Sequence, residues 1–261
     1  MRKAIASFCF GIVTLGTAMQ ALAVDLTYDF DTNLDAVYSA PVGTWNSSEA
    51  GGTWSGGDWF GVGNNSQSVP FQIVDESVSG FPGDTAGVVS EFKTDNYFMS
   101  TDTVNNAPNS GTQVATWTFD VSGLSDLSFS VDMGAMGDFE AADQFNWTYS
   151  LDGSPEASLF SITFDGAGSA NYTLGDANVV NLNDPLQVDG VNLLNGLTTQ
   201  TSSAVIGAGS SLLITLTSIT DGGSEGYVAD NLVVSGTAVP EPTTCILAIV
   251  GMAALATRRR R

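Results

Sequence analysis

The stretch GDFEAAD places Asp138, Glu140 and Asp143 within six positions of one another. A second group follows in EGYVADN, where Glu225, Asp230 and Asn231 lie close together. Carboxylates and amide oxygens are hard ligands, and calcium takes six to eight of them. Asp230 stands among apolar residues in VADNLVV. A carboxylate buried there is costly unless a cation or hydrogen-bond donors meet it. These six residues are therefore the candidate ligands for calcium. No DxDxDG loop is present, so the site would not be an EF-hand. The competing reading is that the acids face water or cap turns, as Asp in glycine-rich loops commonly does.

The chain has 261 residues, 28 acidic and 7 basic, with a formal charge of −21 and no histidine. Six of the bases lie at the ends, at Arg2, Lys3 and Arg258 to Arg261. Between Val24 and Val239 there remain 27 acids against the single base Lys93. That body has no histidine, cysteine or arginine, which excludes Ser-His-Asp and Cys-His catalysis and histidine-based zinc or haem sites. It repels phosphate, so no nucleic acid partner is expected. A glycosidase needs only two placed carboxyls, but nothing in the spacing marks a pair. The expectation is a protein that is not an enzyme, with a carboxylate-based glycoside hydrolase as the lesser alternative.

A glycine-rich stretch at 44–65 carries Trp45, Trp54, Trp59 and Phe60. Exposed aromatic faces stack on sugar rings, and binding residues favour loops on rigid scaffolds. Trp45, Trp54 and Trp59 are candidate glycan contacts, as in a carbohydrate-binding module for exopolysaccharide. The competing reading is that these rings pack inside and anchor the loop.

Such groups need a scaffold, and the body predicts β-strands throughout. Segments 26–30, 70–75, 96–100, 158–165, 211–219 and 226–236 are strand candidates. QVATWTFDV alternates, with Ala115, Trp117, Phe119 and Val121 on one face. LSFSVDM places Leu127, Phe129, Val131 and Met133 together, and FNWTYSL does the same for Phe145, Trp147, Tyr149 and Leu151. Gly, Asp, Asn and Ser turns separate them, among them Asp152-Gly153 and Asp221-Gly222-Gly223. The pattern predicts one all-β domain over 24–236, an antiparallel jelly-roll-like sandwich, a fold in which the first and last strands often come together.

The ends read differently. Residues 1–23 carry Arg2 and Lys3, an apolar run and then Ala21-Leu22-Ala23. This is the pattern of a secretory signal peptide, with cleavage expected after Ala23 and Sec machinery as the exporter. Residues 237–261 form a tail: a linker with Pro240-Glu241-Pro242 at 237–244, an apolar helix at 245–257 and the arginines at 258–261. The 12-residue apolar core of that helix spans about 18 Å, short of the roughly 30 Å of a bilayer. It suits a temporary anchor, with Arg258, Arg259, Arg260 and Arg261 as a cytoplasmic stop. Cys9 and Cys245 lie in the two apolar ends and read as small apolar residues.

Val239-Pro240-Glu241-Pro242, the short apolar helix and the arginine cluster together resemble the PEP-CTERM sorting signal of Gram-negative bacteria. The resemblance implies that Pro240, Glu241 and Pro242 are recognised by an exosortase, a membrane cysteine protease-transpeptidase that removes the tail. It implies transient inner-membrane anchoring, then delivery to the cell surface or extracellular matrix. Independently, two prolines keep this strip extended and outside any helix. The segments at 115–154 and 210–236 resemble bacterial extracellular jelly-roll domains, which supports the fold more than any activity.

Overall fold

The computed structural model describes residues 22–40, 59–64, 95–104, 111–174, 177–221 and 225–239. All but the last two residues of the expected signal peptide at 1–23, the Pro240-Glu241-Pro242 strip, the apolar helix at 245–257, the arginines at 258–261 and the strand candidate at 70–75 lie outside them. Among the described residues, fifteen strands run in chain order: β1 (Ala23–Tyr28), β2 (Ala36–Ser39), β3 (Trp59–Gly63), β4 (Tyr97–Thr101), β5 (Gln113–Met136), β6 (Gln144–Leu151), β7 (Ala157–Ser158), β8 (Ile162–Phe164), β9 (Ser169–Thr173), β10 (Val179–Asn183), β11 (Leu186–Val188), β12 (Val191–Asn192), β13 (Thr198–Thr201), β14 (Gly209–Ile219) and β15 (Gly226–Ala238). Among the described residues there is no helix, and so none long and apolar enough to cross a membrane.

Every strand pairing among the described residues is antiparallel. Ten strands bond into one network along β3-β4-β15-β5-β14-β6-β7, with β1 joined to β15 and both β2 and β13 joined to β5. The network folds over itself at β5. Its first half pairs with β14 and β2, its second half with β15 and β13. Leu124 sits at the crossing, opposite both Gly209 and Ala238. There the backbone takes φ of 77° at Gly123 and 53° at Asp126, and both partner strands slip register. Bulges and a glycine let one strand turn from sheet to sheet without losing its ladder.

The two halves close on an aromatic core. Trp117 of β5 stacks on Trp147 of β6 at 5.4 Å, Phe129 from the other half of β5 meets Trp147 at 5.9 Å, and Phe98 of β4 meets Trp117 edge-on at 5.7 Å. Trp147 also donates from its indole nitrogen to the Tyr227 hydroxyl at 2.7 Å. A smaller cluster lies elsewhere: Ala170, Tyr172 and Leu174, on and just after β9, pack with Trp59, Tyr97, Met99, Met136 and Val228. The hairpin β9–β10 thus covers part of the sheet with a second, smaller apolar layer.

Candidate metal centre

The register fixes what comes together at one end of the fold. β6 pairs Gln144 with Ile219 at the end of β14, and β5 pairs Met136 with Gly226 at the start of β15. The connection from β5 to β6 therefore abuts Asp221 and Glu225, the described residues on either side of 222–224 between β14 and β15. Phe139, fully buried against Phe145 at 6.0 Å, pins that connection to the core. The loop then turns so that Glu140 and Asp143 face Asp221 and Glu225.

These four carboxyl groups offer oxygens that all lie within 4.8 Å of one another. Glu140 and Asp221 are exposed, Asp143 is half-buried, and Glu225 is buried. The Asp143 carboxylate ties the two loops together, accepting from the Glu140 amide at 2.7 Å and from the Asp221 amide at 3.2 Å. The described residues contain no lysine, arginine or histidine to neutralise the group. Such a set is suited to hold a hard cation, which supplies the charge the protein lacks here.

Burial pushes the Asp143 carboxyl up to about 6, with the charges of Asp221 and Glu140 adding to it and the two amide donors opposing it. The folded group therefore binds its proton more tightly than an unfolded aspartate of ordinary value 3.8. Its ionisation costs folded stability above pH 6, and that cost disappears as pH falls through 6 toward 4. The other resolved carboxylate shifts run the opposite way. At Asp29, slight desolvation is outweighed by amide donors from Asn33, Asp31 and Thr32, which hold it at about 2. The side chain and amide of Ser122 lower Asp120, and the amides of Ser210 and Ser211 lower Asp152. Those groups lose stability only below about pH 4. Melting of chelator-treated protein should thus rise between pH 7 and pH 5, and Asp143→Asn should flatten the rise. A falling curve in that window would contradict the assignment.

The six sequence candidates do not form one site. Glu140, Asp143 and Glu225 come together, and Asp221 completes the group. Asp138 is half-buried in the same loop without joining the cluster. Asp230 lies five residues along β15 from Glu225, about 17 Å at the rise of a strand. It is buried opposite Asp132, and one of its carboxylate oxygens accepts from the Asn231 amide at 2.7 Å. Asn231 takes φ of 49° at a break in the β15–β5 register and donates from its side chain to Asp132 at 2.9 Å. This pair shapes a bulge, so a backbone donor meets the buried charge, as the sequence allowed.

Trp59 does not fit a glycan contact. It is the first residue of β3, only 6% exposed, and its indole nitrogen donates to the Gly61 carbonyl at 3.1 Å. Its ring is consumed by the smaller core with Tyr97 and Tyr172. Trp45 and Trp54 lie outside the described residues.

A shallow cavity of about 360 Å³ opens beside the bend of β5, lined by Ser125, Asp126, Leu127 and residues 204–208. Asp126 is the one carboxylate in that lining, so it holds no acid–base pair.

Comparison with known proteins gives little to set beside this site. No family model and no curated protein matches the chain. Among solved structures, a cyclase from Fischerella sp. TAU is similar at a TM-score of 0.35 and 11% identity, over 84% of this chain and 100% of that one. The CBM22-1 xylan-binding domain of Paenibacillus barcinonensis Xyn10C is similar at a TM-score of 0.30 and 10% identity, over 85% of this chain and 100% of that one.

Proposed function

We propose that the chain is an exported, non-enzymatic protein of a Gram-negative bacterium, processed by an exosortase at Pro240-Glu241-Pro242 and stationed at the cell surface or in the extracellular matrix. Its body works as a jelly-roll sandwich stiffened by calcium. The observation that carries the calcium reading is the convergence of Glu140, Asp143, Asp221 and Glu225 from two loops that one carboxylate ties together. Calcium fits better than magnesium because carboxylates from separate loops make an irregular oxygen shell, whereas magnesium demands near-octahedral order and keeps its waters.

The sorting reading is supported by the order of proline strip, apolar run and arginines, and by a body whose cations are almost all confined to its ends. Cationic ends stay cytoplasmic and the acidic body crosses. Deleting residues 240–242 should abolish surface delivery and leave the chain in the inner membrane, read by fractionation and surface labelling. Unchanged delivery and unchanged mass would sink the sorting role. Chelation should lower the melting temperature of the full chain in a way that magnesium or sodium chloride does not restore.

A further inference from the structure

Strands β10 and β11 are joined by Asp184 and Pro185 alone. This is the one Asp-Pro pair in the chain. Pro185 is buried and Asp184 is half-buried. The backbone there is pinned from three directions. The Asp184 amide donates to the Gly168 carbonyl at 3.1 Å, the Asp165 amide donates to the Pro185 carbonyl at 3.0 Å, and the Phe139 amide donates to the Asp184 carbonyl at 3.1 Å. Phe139 is itself fully buried against Phe145, so this last donor is fixed in place.

Asp184 is held at φ of 49°. That is the left-handed region, whereas a following proline pushes a residue toward extended backbone. The two demands conflict, and such strain persists only where the surrounding structure imposes it. Four other aspartates among the described residues share the positive φ: Asp102, Asp126, Asp152 and Asp189. Three of these have engaged carboxylates. Asp126 accepts from the Ser125 hydroxyl at 3.1 Å, Asp152 from the Ser211 amide at 2.9 Å, and Asp189 from the Ser161 amide at 2.9 Å. The Asp184 carboxyl takes no hydrogen bond among the described residues.

A carboxyl left free in this way can close on its own main-chain carbonyl carbon, because one residue holds both groups within reach of a five-membered ring. The Phe139 amide already donates to the carbonyl oxygen on which negative charge would develop. The proline nitrogen carries no hydrogen, so ring closure through the next amide is barred here, unlike at Asp152-Gly153 and Asp189-Gly190.

We propose that Asp184–Pro185 is a self-cleavage site, where the folded chain breaks its own backbone between β10 and β11. A carboxyl oxygen of Asp184 bonds to the Asp184 carbonyl carbon while the Phe139 amide holds the oxyanion. The carbon–nitrogen bond to Pro185 then breaks. Its electron pair stays on the proline nitrogen, which takes up the proton that the carboxyl gave away. One water opens the cyclic anhydride, leaving Asp184 with two carboxyl groups and Pro185 as a new N-terminus. β1 to β10 then belong to one piece and β11 to β15 to the other. The pieces stay assembled, because β5 still pairs with β13, β14 and β15.

The test incubates the full chain in mildly acidic buffer with protease inhibitors, folded as judged by near-ultraviolet circular dichroism. Denaturing gels and intact mass follow the break. Folded wild type should be cut after Asp184, with Pro185 as the new N-terminus, and should still run as one species under native conditions. Asp184→Asn, a residue that tolerates the same φ, should stay whole. Wild type unfolded in urea at the same acidity should be cut at least about tenfold more slowly, the scale of one such backbone strain. An intact folded chain, or an equal break in Asp184→Asn, would overturn the proposal. So would an equal or faster break in urea, which leaves only the ordinary acid lability of an Asp-Pro bond. Should Asp184→Asn not fold, the comparison of folded with unfolded wild type decides by itself.

Discussion

Replacing Glu225 with glutamine is expected to abolish the calcium-dependent rise in melting temperature. At calcium a hundredfold above its dissociation constant, a native-only site adds about 2.7 kcal/mol. For a domain of this size that corresponds to roughly 5–10 °C, at ~2–4 °C per kcal/mol. Glu225 is the ligand to change because it is the buried member of the four and lies at the root of β15, where the strand holds it. In chelator the same variant removes one negative charge from a crowded group, so its melting temperature should be unchanged or slightly higher. These opposite outcomes separate a metal ligand from a structural residue. A Glu225→Gln protein that melts lower in chelator, yet keeps its full calcium shift, would refute the site. Magnesium at equal ionic strength controls for screening of the acidic body.

Trp147→Ala should cost about 3–5 kcal/mol, the range for deleting a buried large aromatic side chain. Trp147 is fully buried, stacked on Trp117 and in contact with Phe129. Its loss empties the place where the two halves of β5 face each other, and it removes the donor to the buried Tyr227 hydroxyl. Substitution by phenylalanine sharpens the assignment. Trp147→Phe loses that 2.7 Å hydrogen bond, whereas the Trp117 indole nitrogen is buried with no hydrogen-bond partner. Removing an unsatisfied donor recovers part of a desolvation penalty of about 1–3 kcal/mol. Trp117→Phe should therefore be the milder change in denaturant midpoint. The reverse order would show that shape, not hydrogen bonding, dominates this pair.

The strands that alternate strictly could be read directly. Ala115, Trp117, Phe119 and Val121 are all fully buried, as are Val131 and Met133 farther along. What periodicity could not show is that 113–121 and 127–133 form one strand. The intervening SGLSD carries turn residues, and only the pairing of Leu124 with two partners reveals a continuous crossing. β3 was hidden by its composition: WFGVG sits in a glycine-rich stretch, and its burial comes from Tyr97 and Tyr172 far away in sequence. At the site, Glu140 and Asp143 were visible from local spacing. Asp221 was visible only as a turn residue, because its role arises from a loop 78 residues away. Asp230 and Asn231 drew attention for a sound reason, a carboxylate among apolar residues, but the fold answers that charge with a bulge.

The placement of β15 also has a mechanical side. Its C-terminal end carries the tail, yet it is an interior strand, bonded to β5 on one side and to β4 and then β1 on the other. A pull on Val239 against the rest of the domain acts along the strand, so the ladder bonds to β5 share the load at once. A pull between Val24 and Val239 instead opens β1 from β15 one pair at a time, because those two strands are antiparallel and the start of β1 lies beside the end of β15. The same body is thus strong when held by its tail alone and weak when held by both ends.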